Sequence, residues 1–241
     1  MLYAIRIFSI VIYLFLVGVL GIFVCLARPF HPDTTRWFGR IYSWGGSAIL
    51  GIKIRVQNYN SLKKIGPCVY VVNHQDNFDL FICGRVVPKR TVTIGKKNLK
   101  YIPFFGQLYW LSGNVLIDRK NRSHSKTTMD LSTQALTTKN TSIWVFAEGT
   151  RNHGENLLPF KRGAFIMAIE AKVPIVPICV SSYARNIDLR RWRSGVAKIR
   201  ILPPITTDNL TSEDTDRIMK QCWDEMKETI DAMDKEVYSL K

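Results

Sequence analysis

The chain has 241 residues, 46% of them hydrophobic, which suits one domain with a sizeable core plus an apolar segment. Its formal net charge of +15 implies an anionic partner, whether nucleic acid, anionic lipid or a phosphorylated substrate. Five cysteines (Cys25, Cys68, Cys83, Cys179, Cys222), with no pair at C-x-x-C spacing, argue against a disulfide framework and a thiolate zinc site.

In chain order, the first element is an apolar run from Ile7 to Ala27 without a charge. As a helix it covers roughly 30 Å, about the thickness of the bilayer hydrocarbon core. A signal peptide would have a shorter apolar region, a stronger basic start and a small-residue cleavage site. Here only Arg6 precedes the run, and Arg28, Pro29 and Phe30 follow it. An uncleaved anchor is therefore expected. Arg28, Arg36 and Arg40 place the body on the cytoplasmic side by the positive-inside rule. A second apolar stretch, Ile41–Ile52, is too short to span alone, so one span and a two-helix monotopic anchor both fit. The expected division is an anchor at 1–52 and a domain at 53–241.

Short β-branched runs then alternate with helical patterns. Strands are expected at Cys68–Val72, Thr91–Ile94, Val115–Ile117, Ser142–Phe146, Ile175–Val180 and Ile199–Leu202. Helices are expected at Ser125–Leu136 and Gly163–Ala171. Apolar strands of this kind are covered on both faces, which predicts an α/β fold: a mixed, largely parallel sheet flanked by helices. A final amphipathic helix repeats Met219, Cys222, Met226, Ile230, Met233 and Val237 at three- and four-residue steps, behind a capping box of Thr211 and Asp214.

Four segments carry candidate chemistry. His74 follows the strand ending at Val72, and Asp79 lies five residues on. A straight helix would separate that pair by roughly 140°, so they meet only if His74 sits in the turn and Asp79 at the helix start. A carboxylate on one imidazole nitrogen sets the tautomer and leaves the other nitrogen as a general base. The spacing alone is common by chance, and an Asp at a helix start is also an ordinary capping residue. The second segment, Phe146-Ala147-Glu148-Gly149-Thr150-Arg151, follows another strand, and its arginine suits a phosphate fork. The third, Val115-Leu116-Ile117-Asp118-Arg119, again ends a strand in an arginine, near Lys96, Lys97, Lys100, Lys120 and Arg122. The fourth, Val173-Pro174-Ile175-Val176-Pro177, lacks two backbone donors, so its strand is expected at an edge or against a wall. Between them, Tyr101 to Leu111 holds five aromatic residues, suited to core, lipid or an acyl path.

In this order the four segments resemble the motifs of the glycerolipid acyltransferases, over nearly the whole chain. The stretches Gly95-Lys96-Lys97, Ile102-Pro103-Phe104-Phe105-Gly106-Gln107 and Ile117-Asp118-Arg119 are similar to the PlsC-type 1-acyl-glycerol-3-phosphate branch. Ala147 departs from the proline common there. The resemblance implies that His74 is the general base and Asp79 its orienting partner. It implies that Arg119, Glu148, Gly149, Thr150 and Arg151 hold the glycerol phosphate, with Lys96 as a further contact. It also implies acyl-CoA or acyl-carrier protein as donor, lysophosphatidate as acceptor, and the bacterial cytoplasmic (inner) membrane, with its phospholipids, as the place of work. No metal and no bound cofactor is expected. Other acceptors, such as glycerol 3-phosphate or another lysolipid, and a non-catalytic lipid binder are the alternatives. Nucleic acid fits the charge alone, without a recognised module.

Overall fold

The computed structural model describes residues 1–118, 130 and 132–238. Helices α1 (Leu2–Ala27) and α2 (Thr34–Leu50) precede β1 (Ile52–Gln57) and β2 (Val69–Val72). Then come α3 (Asp79–Cys83), β3 (Thr91–Lys96), α4 (Phe105–Leu111), β4 (Val115–Ile117), α5 (132–138) and β5 (Ser142–Phe146). The chain closes with α6 (Gly163–Ala171), β6 (Ile175–Val180), β7 (Gly195–Ile201) and α7 (Thr215–Tyr238).

The strands form one sheet in the order β1-β7-β6-β2-β5-β3-β4. Every pairing is parallel except β6 with β7. The expected mixed, largely parallel sheet flanked by helices is therefore present. The period of two along a strand explains the apolar runs. In β2, Tyr70 and Val72 join the core beneath α1, α2 and α3, while Val69 and Val71 join the core beneath α6 and α7. Both faces are covered, so no polar alternation is needed.

Three features differ from the sequence-based expectation. The segment Ile52–Gln57 alternates apolar and polar residues and forms edge strand β1, which the anchor boundary at residue 52 had hidden. The strand expected at Ile199–Leu202 starts earlier, at Gly195. The strand with Pro177 is central rather than an edge. It tolerates proline because Pro177 faces the point where the chain leaves β7. There Leu202 N donates to Pro177 O at 3.0 Å, and Ile175 N donates to Ile205 O at 2.9 Å on the same side. Of the helix expected at Ser125–Leu136, the described part is helical, and the rest lies outside the described residues.

Helix α1 is docked at both ends. Near its start Arg6 is buried (6% exposed) and donates to the carbonyls of Leu189 (3.1 Å), Arg191 (2.7 Å) and Trp192 (2.6 Å) and to the Ser194 hydroxyl. Gly51, left-handed at φ +70°, ends α2, and a side chain there would strike the Arg6 guanidinium and the Trp192 carbonyl. At the other end Cys25 is buried beside Ser112, and Phe30 N donates to Leu111 O at 2.8 Å. Arg6 is thus an internal clamp rather than a free flanking charge. Between these ends Phe8, Val11, Phe15, Leu16, Leu20 and Phe23 are exposed. The helix is long and apolar enough to cross a membrane, with 28% of its most apolar window buried against the protein. Replacing Arg6 with alanine leaves four acceptors without their donor, two of them in buried bonds, the Leu189 carbonyl and the Ser194 hydroxyl. It is expected to lower stability by about 3 kcal/mol, and limited proteolysis within 1–30 measures the release of the helix.

Candidate functional site

Parallel pairing brings the carboxyl ends of β2, β5, β3 and β4 to one edge of the sheet, in that order. All three charged segments leave from these ends. At about 4.8 Å per strand, the ends of β2 and β3, with β5 between them, stand about 10 Å apart across the sheet. Active sites of open α/β sheets sit at this edge.

His74 lies in the turn after β2, and Asp79 is the first residue of α3. This is the geometry that the five-residue spacing requires. His74 Nδ1 meets Asp79 Oδ2 at 2.6 Å. The same oxygen accepts from Gln75 N at 2.7 Å and Asp76 N at 3.2 Å, and Oδ1 accepts from the Tyr183 hydroxyl at 2.8 Å. The carboxylate is 2% exposed yet fully satisfied, so Nδ1 carries the proton in the neutral ring. The imidazole stacks on Phe146, centroids 4.1 Å apart and 20° between planes. Its plane and tautomer are thus set, and the side chain is 20% exposed.

The Glu148 segment leaves β5, the strand beside β2. Glu148 is 1% exposed, and its carboxylate is saturated by protein donors. Oε1 accepts from His74 N at 2.7 Å, Oε2 accepts from Leu158 N at 2.9 Å, and the Asn152 amide reaches both. Asn152 N returns a bond to His74 O at 2.8 Å. Burial raises the Glu148 pKa, opposed by the His74 and Leu158 amides and by Asn152. A buried anion already holding three donors clamps the His74 turn. The resemblance implies a glycerol phosphate contact for Glu148; in the structure its carboxylate faces these protein donors.

Gly149 follows at φ +72°, a conformation that favours glycine, and Gly149 N donates to Phe146 O at 3.1 Å. The turn thus delivers Thr150 and Arg151 to the surface, both exposed. The side chain of Lys161 runs over Gly149, with Cγ 3.2 Å from where a Cβ would stand. Lys96 is exposed, while Lys97 pairs with Asp118 at 3.3 Å. Arg119, Lys120 and Arg122 lie outside the described residues. Lys97, Lys100, Gln107, Trp110, Leu116 and Asp118 line a cavity of about 510 Å³ next to this edge. Among the described residues, no group of three or more His, Cys, Asp or Glu side chains could hold a metal.

The structure adds residues that the sequence did not single out, Asn152, Lys161 and Tyr183, and gives Phe146, the first residue of the second segment, its place against the imidazole. Asn152 sits directly after Arg151 and so was within reach of the motif. Tyr183 follows β6 in a separate turn, and nothing local in the sequence links it to Asp79.

The sequence matches the family model described as Acyltransferase over residues 53–181. It is 40% identical over 237 residues to the 1-acyl-sn-glycerol-3-phosphate acyltransferase of Escherichia coli (strain K12), covering 98% of this chain and 96% of that one. It is 39% identical over 199 residues to the Homo sapiens 1-acyl-sn-glycerol-3-phosphate acyltransferase alpha, covering 82% and 70%. The crystal structure of PlsC, the 1-acyl-sn-glycerophosphate (LPA) acyltransferase from Thermotoga maritima, superposes with a TM-score of 0.76 at 20% identity, covering 96% of this chain and 94% of that chain. That likeness shows a shared fold. With 40% identity along almost its whole length and the family model over residues 53–181, this chain belongs to the acyltransferase family, in the branch of the 1-acyl-sn-glycerol-3-phosphate acyltransferases.

Proposed function

We propose that the protein transfers a fatty acyl chain from acyl-CoA or acyl-carrier protein to the sn-2 hydroxyl of lysophosphatidate, giving phosphatidate. The observation that carries this reading is the His74–Asp79 pair at 2.6 Å, at the sheet edge where the basic segments also end. His74 Nε2 removes the proton from the sn-2 hydroxyl, and Asp79 stabilises the imidazolium that forms. The sn-2 oxygen attacks the thioester carbonyl. The tetrahedral intermediate then collapses with loss of the thiolate, which takes the proton back from His74.

Arg151, Thr150, Lys96 and the Gly149 turn receive the phosphate, and the resemblance adds Arg119. Lys161 joins them by its position over Gly149. Glu148 acts through the backbone of His74. The apolar face of α1 lies in one leaflet, as a monotopic anchor formed by residues 1–52. The docking of both its ends supports this, because a helix held along the body cannot cross the bilayer without carrying the body into it. Exposed Phe104 against Phe15 and Trp110 against Phe30 extend the same surface. Phospholipids of the cytoplasmic membrane are then the partners, with the sheet edge facing the cytoplasm.

The test is turnover by purified protein in mixed micelles, with lysophosphatidate, glycerol 3-phosphate and a neutral lysolipid each offered to acyl-CoA and acyl-carrier protein. Phosphatidate from lysophosphatidate alone is expected, and turnover confined to another acceptor would sink the assignment. In the same assay Arg151→Ala is expected to raise the apparent KM for lysophosphatidate about 10–100-fold, the range for losing charge-assisted hydrogen bonds, and to leave that of the thioester unchanged.

A further inference from the structure

Asp79 is held from two sides. Oδ2 takes His74 and the two turn amides, while Oδ1 takes only side-chain donors: the Tyr183 hydroxyl at 2.8 Å and, more weakly, Cys83 Sγ at 4.0 Å. Tyr183 is fully buried, so it does not meet substrate. It stands in the short turn Tyr183–Arg185 that follows β6. That region is fastened to the His74 turn at several points. The Asn73 side chain exchanges two bonds with the Val180 backbone, at 2.9 and 2.8 Å. Gln75 donates to Ser181 O at 2.7 Å and accepts from Ala184 N at 3.3 Å.

We propose that Tyr183 is a positioning residue for the general base: its hydroxyl fixes the rotation of the Asp79 carboxylate and draws charge towards Oδ1, so that Oδ2 is aimed at His74 Nδ1. The proposal rests on the acyl-transfer reading above. Burial, with the nearby Asp79 charge, pushes the phenol well above the ordinary tyrosine range, which keeps it a neutral donor. The other ionisable groups facing the pair are Asp76 in the turn, Cys83 on α3 and Glu148 after β5. None of them supplies a hydroxyl to Oδ1. Without the Tyr183 bond, negative charge concentrates on Oδ2, which favours the protonated imidazole, and the carboxylate is freer to turn.

The test is Tyr183→Phe, which keeps the buried ring and removes one oxygen. The expected result is a fall in kcat of about tenfold, unchanged KM for both substrates, and an acid limb of the rate profile moved to higher pH. The ring-nitrogen NMR spectrum of His74, assigned by comparison with His74→Ala, is displaced as well. If kcat, acid limb and spectrum all stay where the parent has them, or if only thermal stability falls, the hydroxyl is packing alone and the proposal is overturned. The spectrum needs no substrate. A displaced spectrum in an enzyme silent on lysophosphatidate keeps the Tyr183 coupling and sinks only the substrate reading.

Discussion

Replacing His74 with alanine is expected to lower acyl transfer by about 10²–10⁴-fold, the range supplied by a positioned general base. The protein should stay folded and membrane-bound. The reason lies in the hydrogen bonds that remain. Asp79 keeps the amides of Gln75 and Asp76 and the Tyr183 hydroxyl, so no buried carboxylate is stranded. The His74 backbone keeps Glu148 and Asn152. Only one side-chain hydrogen bond and a stacked ring are lost. Single-turnover rates with purified protein, alongside a melting curve and membrane flotation, check the expectation. A variant that stays folded and retains parental turnover would falsify the base.

Glu148→Ala should act in a different way. It strips three protein donors of one buried acceptor, the amides of His74 and Leu158 and the side chain of Asn152. Each buried group left unpaired costs about 1–3 kcal/mol, so a loss of about 3–5 kcal/mol is expected in chemical denaturation. Because the clamp holds the backbone of the base itself, turnover should fall by more than about 10²-fold even where the variant remains folded. Glu148→Gln does not restore the site, since one oxygen becomes a donor facing donors. A phosphate ligand would behave otherwise. Its removal would raise KM for the acceptor at unchanged stability, and that outcome would return Glu148 to the role its motif suggests.

Much of this was legible in the chain. Apolar strands with β-branched residues read correctly as a buried, largely parallel sheet, because β2, β5 and β6 carry core residues on both faces. The terminal helix was legible from its three- and four-residue steps, and Cys222, Met226, Met233 and Val237 are buried as that pattern requires. Strand β1 was not, since its alternation of apolar and charged residues abuts the glycine-rich end of an apolar helix.

Local sequence determined the turn between Val72 and Asp79: a strand that ends, a histidine in the turn, and a carboxylate at the first helical position. Those are short-range matters of spacing, and five residues suffice to specify them. The tertiary structure alone decided which groups converge on that turn. Glu148 reaches the His74 amide across 74 residues, and Tyr183 reaches Asp79 across 104. Strand order β6-β2-β5 makes these distant segments neighbours, and burial compels every polar group among them to find a partner. The fate of Arg6 follows the same rule. Its place before an apolar run read as a flanking charge, but four acceptors of the loop before β7 hold it inside the body. A sequence states which polar groups exist, and only the packed fold states which of them must pair.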